Sequence, residues 1–422
     1  MRSLILSLSC LLAVGCQQRA DQGQSANGPR DPRGGLVEPA PLDYVGDKIV
    51  LGSPGLTSGI AGHGPLTVPE LQRWLDDPKV HEDFEFVLPM GLRDGSAAAV
   101  VPDDNPLTRA KIELGRQLFF DRRLAAPNPG FSCADCHPPR GGYAHPGHNL
   151  AAANPHARAV PGVFNRIFGR EQFWDGRAQS LEEQVVQPIA TPDEMGSSYA
   201  QCVATLSSIP GYRLQFERIF GRLTIREVGQ ALASFLRALV TGPGSADYAR
   251  RLRHYEGTNL VELSPLDRKE YEACLTGAKA NPLSEAARRG EELFFSERVG
   301  CGKCHPYPNL SDEKYHNIGL ASDQQNPDPG RFAVTGRQAD RGAFKTPTLR
   351  GIVETAPYMH RGQLVELSQV IDWYAGDGSG AQHQSSNIKP FKLTADERTD
   401  LLAFLRSVSG TLPVVGEGRL PE

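Results

Sequence analysis

Basic charge is not in excess in this chain. Its 45 lysines and arginines face 49 aspartates and glutamates, for a formal net charge of −4, a balance that lacks the electrostatic footprint of a nucleic-acid binder. Sustained period-two alternation is also missing, so no strand framework is expected. Nor does the N-terminal apolar run, Leu4 to Val14, reach the length needed to span a bilayer comfortably. What the chain has in quantity is glycine (44) and proline (33), residues that punctuate structure and predict short helices separated by long loops. With 422 residues, 39% of them hydrophobic, there is enough chain for two or three domains with cores of their own.

The N-terminus combines a basic start, a short apolar core and small residues before a break, which makes residues 1–16 an export signal. Leu12-Ala-Val-Gly-Cys16 resembles a bacterial lipobox, in which Cys16 becomes the acylated first residue; the alternative is an ordinary signal in which Cys16 is incidental. The polar stretch from Gln17 to Pro41 has the composition of a flexible tether, and residues 17–104 are expected to be tether and N-terminal extension. In that extension Thr67-Val-Pro-Glu70 reads as a capping box for a short helix carrying Leu71, Trp74 and Leu75.

The chemistry lies in the cysteines. Of eight, Cys10 and Cys16 belong to the N-terminal signal, and four sit in two matching stretches, Cys133-Ala-Asp-Cys136-His137 and Cys301-Gly-Lys-Cys304-His305. Cys-x-x-Cys-His is the attachment sequence of c-type haem: the thiols form thioethers to the haem vinyl groups, and the histidine binds iron from one side. A redox dithiol would not need the histidine, and zinc would want four nearby ligands of its own. Two covalent haems are therefore expected. Cys202 and Cys274 remain; they either pair or stay as buried free thiols.

Gly115-Arg-Gln-Leu-Phe-Phe120 recurs as Gly290-Glu-Glu-Leu-Phe-Phe295, each time shortly before a haem stretch. This repeat of helix, loop and haem predicts two related cytochrome c-like domains, over 105–260 and 261–422, in a mainly α protein with long irregular loops. Capping boxes at Ser180–Glu183, Thr224–Glu227 and Thr394–Glu397 mark further helices. The second of these carries Val228, Leu232, Phe235, Leu236 and Leu239 on one face, with Gly242 expected to close it, and the last carries Leu401, Leu402, Leu405 and Val408. Arg250 to Asn281 reads as the inter-domain connection.

Around the haem stretches stand Gln172-Phe-Trp-Asp-Gly-Arg-Ala178, Pro188-Ile to Glu194-Met-Gly196, Gly330-Arg-Phe-Ala-Val334 and Ala356-Pro-Tyr-Met-His360. In this order, from about Asn105 to Gly410, the set resembles the bacterial di-haem cytochrome c peroxidase family. That family includes the MauG branch, which oxidises side chains of a partner protein. The resemblance implies an N-terminal haem that reacts with hydrogen peroxide and a C-terminal haem that handles electrons. It places Trp174 between the haems, Glu194 as the distal acid that moves the peroxide proton, and Gln184 and Pro188 in the same pocket. It further implies far-side iron ligands: His148 for the first haem, with His145 competing, and Tyr374 for the second, where peroxidases carry methionine and the MauG branch tyrosine. Leu364, Leu367, Ile371 and Tyr374 share one helical face, so Tyr374 points inward on periodicity alone. The alternative is an ordinary buried phenol, with Met359 as substitute ligand. The family's calcium asparagine falls on Ala159, which removes an oxygen ligand and puts calcium in question, although carbonyls near Thr355 and Pro357 remain.

The function implied is a periplasmic peroxidase-type oxidoreductase. Its electrons come from a small redox protein or from side chains of a protein substrate, and the membrane is reached only through the N-terminal lipid. A di-haem electron carrier without peroxide chemistry is the rival; it would need neither Glu194 nor an open iron site.

Overall fold

The computed structural model describes residue 37 and residues 40–125, 130–144, 158–320, 327–376 and 381–422. Helices carry the architecture, and the strands are two or three residues long. Tyr44–Val45 pairs antiparallel with Lys48–Val50, which runs parallel to Phe86–Val87, and Tyr315–His316 pairs antiparallel with Phe344–Lys345. Among the described residues no helix is long and apolar enough to cross a membrane.

The capping boxes do what their spacing implies. Thr67, Thr224 and Thr394 each pair reciprocally with the glutamate three residues on, starting the helices Val68–Leu75, Ile225–Ala238 and Ala395–Ser407. Ser180 accepts from Glu183 N at 3.1 Å, but the Glu183 carboxylate reaches one residue further back, to Gln179 N at 2.8 Å. The helix expected to close at Gly242 ends earlier, at Ala238. Asn165 explains the difference: its N–H donates to Leu239 O and its side-chain oxygen accepts from Thr241 N, so the chain is drawn out of helical geometry. Leu364, expected on the helical face of Tyr374, lies ahead of the helix Leu367–Ala375, in a bridge with Tyr358.

Among the described residues two hydrophobic cores form. The first gathers residues from Ile49 to Val240 together with Val415, and the second runs from Ala246 to Val408. The chain thus enters the second core ahead of residue 260, and the helices Ser245–His254 and Pro265–Ala280 of the expected connection pack on each other. The extension from residue 42 contributes Ile49, Leu51, Leu56, Leu88 and Leu92 to the first core.

The internal repeat has one structural meaning in both halves. Helix Arg109–Phe120 crosses Ile225–Ala238 at Gly115, where an added Cβ would lie 2.0 Å from Ala231 O; helix Glu285–Phe295 crosses Ala395–Ser407 at Gly290, where it would lie 2.0 Å from Asp400 O. Contacts this close admit only glycine. Phe119 against Phe235 and Phe294 against Phe404 complete the two crossings, with ring centroids 5.3 and 5.0 Å apart.

Beyond Val408 the chain leaves the second core and returns across the first. This C-terminal strap bonds through its backbone: Leu66 N donates to Leu420 O at 2.8 Å, Tyr143 Oη to Pro413 O at 2.7 Å and Arg123 Nη2 to Pro421 O at 2.9 Å. Arg116, fully buried beside Glu113, donates to the carbonyls of Glu417 and Arg419. Arg419 in turn donates to Ala61 O, Gly64 O and Pro65 O and pairs with Glu70 at 2.8 Å.

Candidate functional site: two Cys-x-x-Cys-His centres and the cavity between the halves

A cavity of about 1410 Å³ opens where the two halves meet. Its wall includes Cys133, Cys136, His137, Trp174, Gln184, Pro188 and Glu194 from the first half and Thr355 and Pro357 to Met359 from the second. Seven residues proposed from sequence as haem-binding or catalytic thus face one space, together with Met359, the substitute ligand. Local folding explains several of them. Cys133–Cys136 is a single helical turn capped by Ser132, with His137 at its end, and His137 Nδ1 bonds Tyr143 O at 2.9 Å. That contact fixes the orientation of the ring. Gln184 and Pro188 lie one turn apart on the helix Leu181–Ala190 and therefore on one face. Glu194 follows in the turn after it, where Glu194 N donates to Thr191 O at 3.1 Å. Burial pushes the Glu194 carboxyl above the usual carboxylate range, against the pull of Arg177 and with a smaller push from Asp193.

Trp174 is held from both domains. Its indole Nε1 donates to Ala159 O at 2.9 Å, its own carbonyl accepts from Lys345 N at 2.8 Å, and Ala159 N donates to His360 O at 2.8 Å. Beside it Arg158 donates to Asp175 Oδ2 at 2.7 Å and, bidentately, to Asp328 at 2.8 and 2.9 Å. At Ala159 there is no side-chain oxygen, and its carbonyl is already taken by the indole. A calcium ion would therefore lack that side-chain ligand here.

The second centre repeats the first. Cys301–Lys303 is a 3₁₀ turn, and His305 Nδ1 bonds Leu310 O at 2.7 Å. The Tyr374 phenol stands near Cys301 and Cys304 of this turn, and burial raises its pKa. Met359, the alternative ligand, lines the first cavity instead. Asp312 and His316 join Cys304 within 4.8 Å, the one such cluster among the described residues. His316 is held above the ordinary imidazole range chiefly by its hydrogen bond with Asp312.

Cys202 and Cys274 are both buried and free, in different surroundings. Cys202 belongs to the first core, whereas Cys274 Sγ lies 3.3 Å from Met90 Sδ. His145, His148 and Cys16 lie outside the described residues. Sequence reasoning missed Tyr143, Arg158, Asp328, His316 and the role of His360, whose buried ring stacks on Phe344 at 3.7 Å and is pushed by burial down to about 4. A signal existed only for Tyr143 and Leu310, which stand six and five residues after the two histidines; the others make their contacts through tertiary pairing.

The first cavity suits a large planar group with carboxylates. It is lined largely by apolar side chains and has Arg158, Arg166, Arg177 and Lys345 in its wall. Together with two Cys-x-x-Cys-His turns, each backed by a helix crossing at a glycine, this defines a protein with two c-type haem domains. The comparisons with known proteins agree. Residues 109–256 match the family model for di-haem cytochrome c peroxidase, and residues 287–409 match that for cytochrome c. The chain is 36% identical over 326 residues to the methylamine utilization protein MauG of Methylorubrum extorquens, covering 76% of this chain and 84% of that one. It is 34% identical over 325 residues to cytochrome c551 peroxidase of Nitrosomonas europaea, covering 75% and 83%. Among solved structures, a MauG-like protein associated with microbial copper homeostasis superposes with a TM-score of 0.60 at 28% identity, over 74% of this chain and 92% of that one. The chain belongs to the di-haem cytochrome c peroxidase family, MauG included. It is a peroxidase-type oxidoreductase with two c-type haems.

Proposed function

We propose that the cavity between the halves is where hydrogen peroxide is reduced, with electrons relayed from the second haem. The observation that carries this reading is Glu194, a half-buried carboxyl that lines the same space as His137. Cys133, Cys136 and His137 would hold the first haem, which when bound supplies the redox chemistry of O–O cleavage. Glu194 takes a proton from one peroxide oxygen and delivers it to the other, so that the leaving oxygen departs as water. Gln184 and Pro188 shape the wall beside it. Cys301, Cys304 and His305 would hold the second haem, and Tyr374, beside Cys301 and Cys304, would be available to it as a further ligand; a phenolate-type ligand lowers the potential relative to methionine. Trp174, pinned at its indole and its carbonyl, shortens the electron path between the two centres. An electron carrier would have no use for a partly desolvated acid in such a cavity.

The donor is a small redox protein, as in a peroxidase, or side chains of a partner protein, as in MauG. Trp174→Phe tests the relay. In stopped-flow mixing with peroxide, the first haem should react as in wild type while electron delivery from the second slows. Equal rates of delivery in both proteins would remove Trp174 from the path.

We further propose that the mature protein faces the bacterial periplasm, anchored through an acylated Cys16. The apolar run before that cysteine supports this. Cys16→Ser should move the protein from the membrane fraction to the soluble one, and a wild-type protein already wholly soluble would contradict the anchor.

A further inference from the structure

The histidines of both Cys-x-x-Cys-His turns use the same device. Their Nδ1 bonds the carbonyl of a nearby residue in the left-handed region: Tyr143, at φ 55°, for His137 and Leu310, at φ 51°, for His305. The two carbonyls are held in place differently. Leu310 is buried in the second core, within its own domain. The Tyr143 side chain, also fully buried, donates through Oη to Pro413 O at 2.7 Å, on the strap that arrives from the last helix of the other domain. The preceding Gly142, at φ 67°, sits so close to Glu354 O that an added Cβ would lie 2.5 Å from it, a second contact from that same half.

We infer that Tyr143 is a positioning residue for the first haem, and that the C-terminal strap of the second domain sets, through it, the donor strength of His137. A histidine ligand that donates Nδ1–H to a well-placed carbonyl has a fixed tautomer and a more basic Nε2. Greater basicity stabilises the oxidised iron. Loosening the strap therefore weakens this bond and favours the reduced form of the first haem, leaving the second haem untouched. The inference rests on His137 being the axial ligand of the first haem.

Spectroelectrochemical titration of the purified two-haem protein tests it. Tyr143→Phe keeps the ring and removes only the hydroxyl that holds Pro413. At fixed applied potential the reduced-to-oxidised ratio of the first haem should rise about tenfold, a 59 mV shift for one electron, with the second haem unmoved. Arg419→Gln frees the strap at its far end, away from both haems, and should shift the first haem in the same direction by less. If Tyr143→Phe fails to accumulate with both haems, Arg419→Gln decides alone. Unchanged first-haem potentials, or equal shifts in both haems, would overturn the inference. His137→Met checks the underlying ligation separately: a first-haem spectrum indifferent to that change removes the ligand assignment itself, whatever the strap variants show.

Discussion

Glu194→Gln is expected to slow peroxide-driven oxidation by about 10²–10⁴-fold, the usual cost of losing a positioned acid–base group. Glutamine keeps the shape of the side chain and much of its hydrogen bonding but cannot shuttle a proton. Haem content should be unchanged, because Glu194 is not expected to bind either iron. The pH profile gives a sharper check. Burial is the main influence on the Glu194 carboxyl and raises its pKa, so the basic, proton-accepting form appears only above the ordinary carboxylate range. The acidic limb of the wild-type rate profile should lie there, and the glutamine variant should lack it. The sign for stability is the reverse. A carboxyl whose folded pKa is raised contributes stability that is fully present below its unfolded pKa and is lost as pH rises through the folded value. The variant, which never ionises, should therefore be no less stable than wild type at neutral pH. A variant that turns over peroxide at the wild-type rate would end the assignment of Glu194.

Arg158→Met is expected to destabilise the folded protein by about 3–5 kcal/mol, the typical penalty for stripping one partner from a buried ion pair. Asp175 and Asp328 are 5% and 3% exposed, and Arg158 bridges them across the cavity wall. Burial pushes the Asp328 carboxyl up, but Arg158 and the Gly330 N–H together hold it below the usual carboxylate range. A depressed folded pKa contributes stability that is present above the unfolded value and is lost as pH falls through the folded one. The deficit of the variant should accordingly be large at neutral pH and shrink in acid, where the orphaned carboxylate takes up a proton. Urea unfolding at both pH values, with Asp328→Asn added in a double-mutant cycle, measures it. A deficit equally large in acid would mean that Arg158 acts by packing rather than by charge. Because Asp175 adjoins Trp174, the same variant should also slow electron delivery between the centres.

The features legible in the sequence were those whose chemistry lies within a few residues. The Cys-x-x-Cys-His turns, the reciprocal caps at Thr67, Thr224 and Thr394, and the spacing that places Gln184 and Pro188 on one helical face depend on local geometry, which residue order determines. The Gly115 and Gly290 repeat announced two related units, and the motifs around Trp174 and Glu194 were recognisable through the family they resemble.

Contacts between distant residues had no such signature. Helix Ile225–Ala238 ends where it does because Asn165, sixty residues upstream of its first turn, offers hydrogen bonds to Leu239 and Thr241 that helical continuation would forfeit. Cys202 and Cys274 could be counted but not placed; packing set one in the first core and the other against Met90. Arg158, Arg116 and Arg419 are ordinary charges in sequence and buried or bridging groups in space, since a charge is desolvated only when remote chain closes over it. So the residue order by itself determined the two haem turns and the helices that frame them, while folding brought Glu194 to the cavity that His137 lines. The tertiary structure alone decided that Tyr143 of one domain is tied to Pro413 from the other, because a backbone carbonyl has no side-chain identity and only folding selects the donor that reaches it.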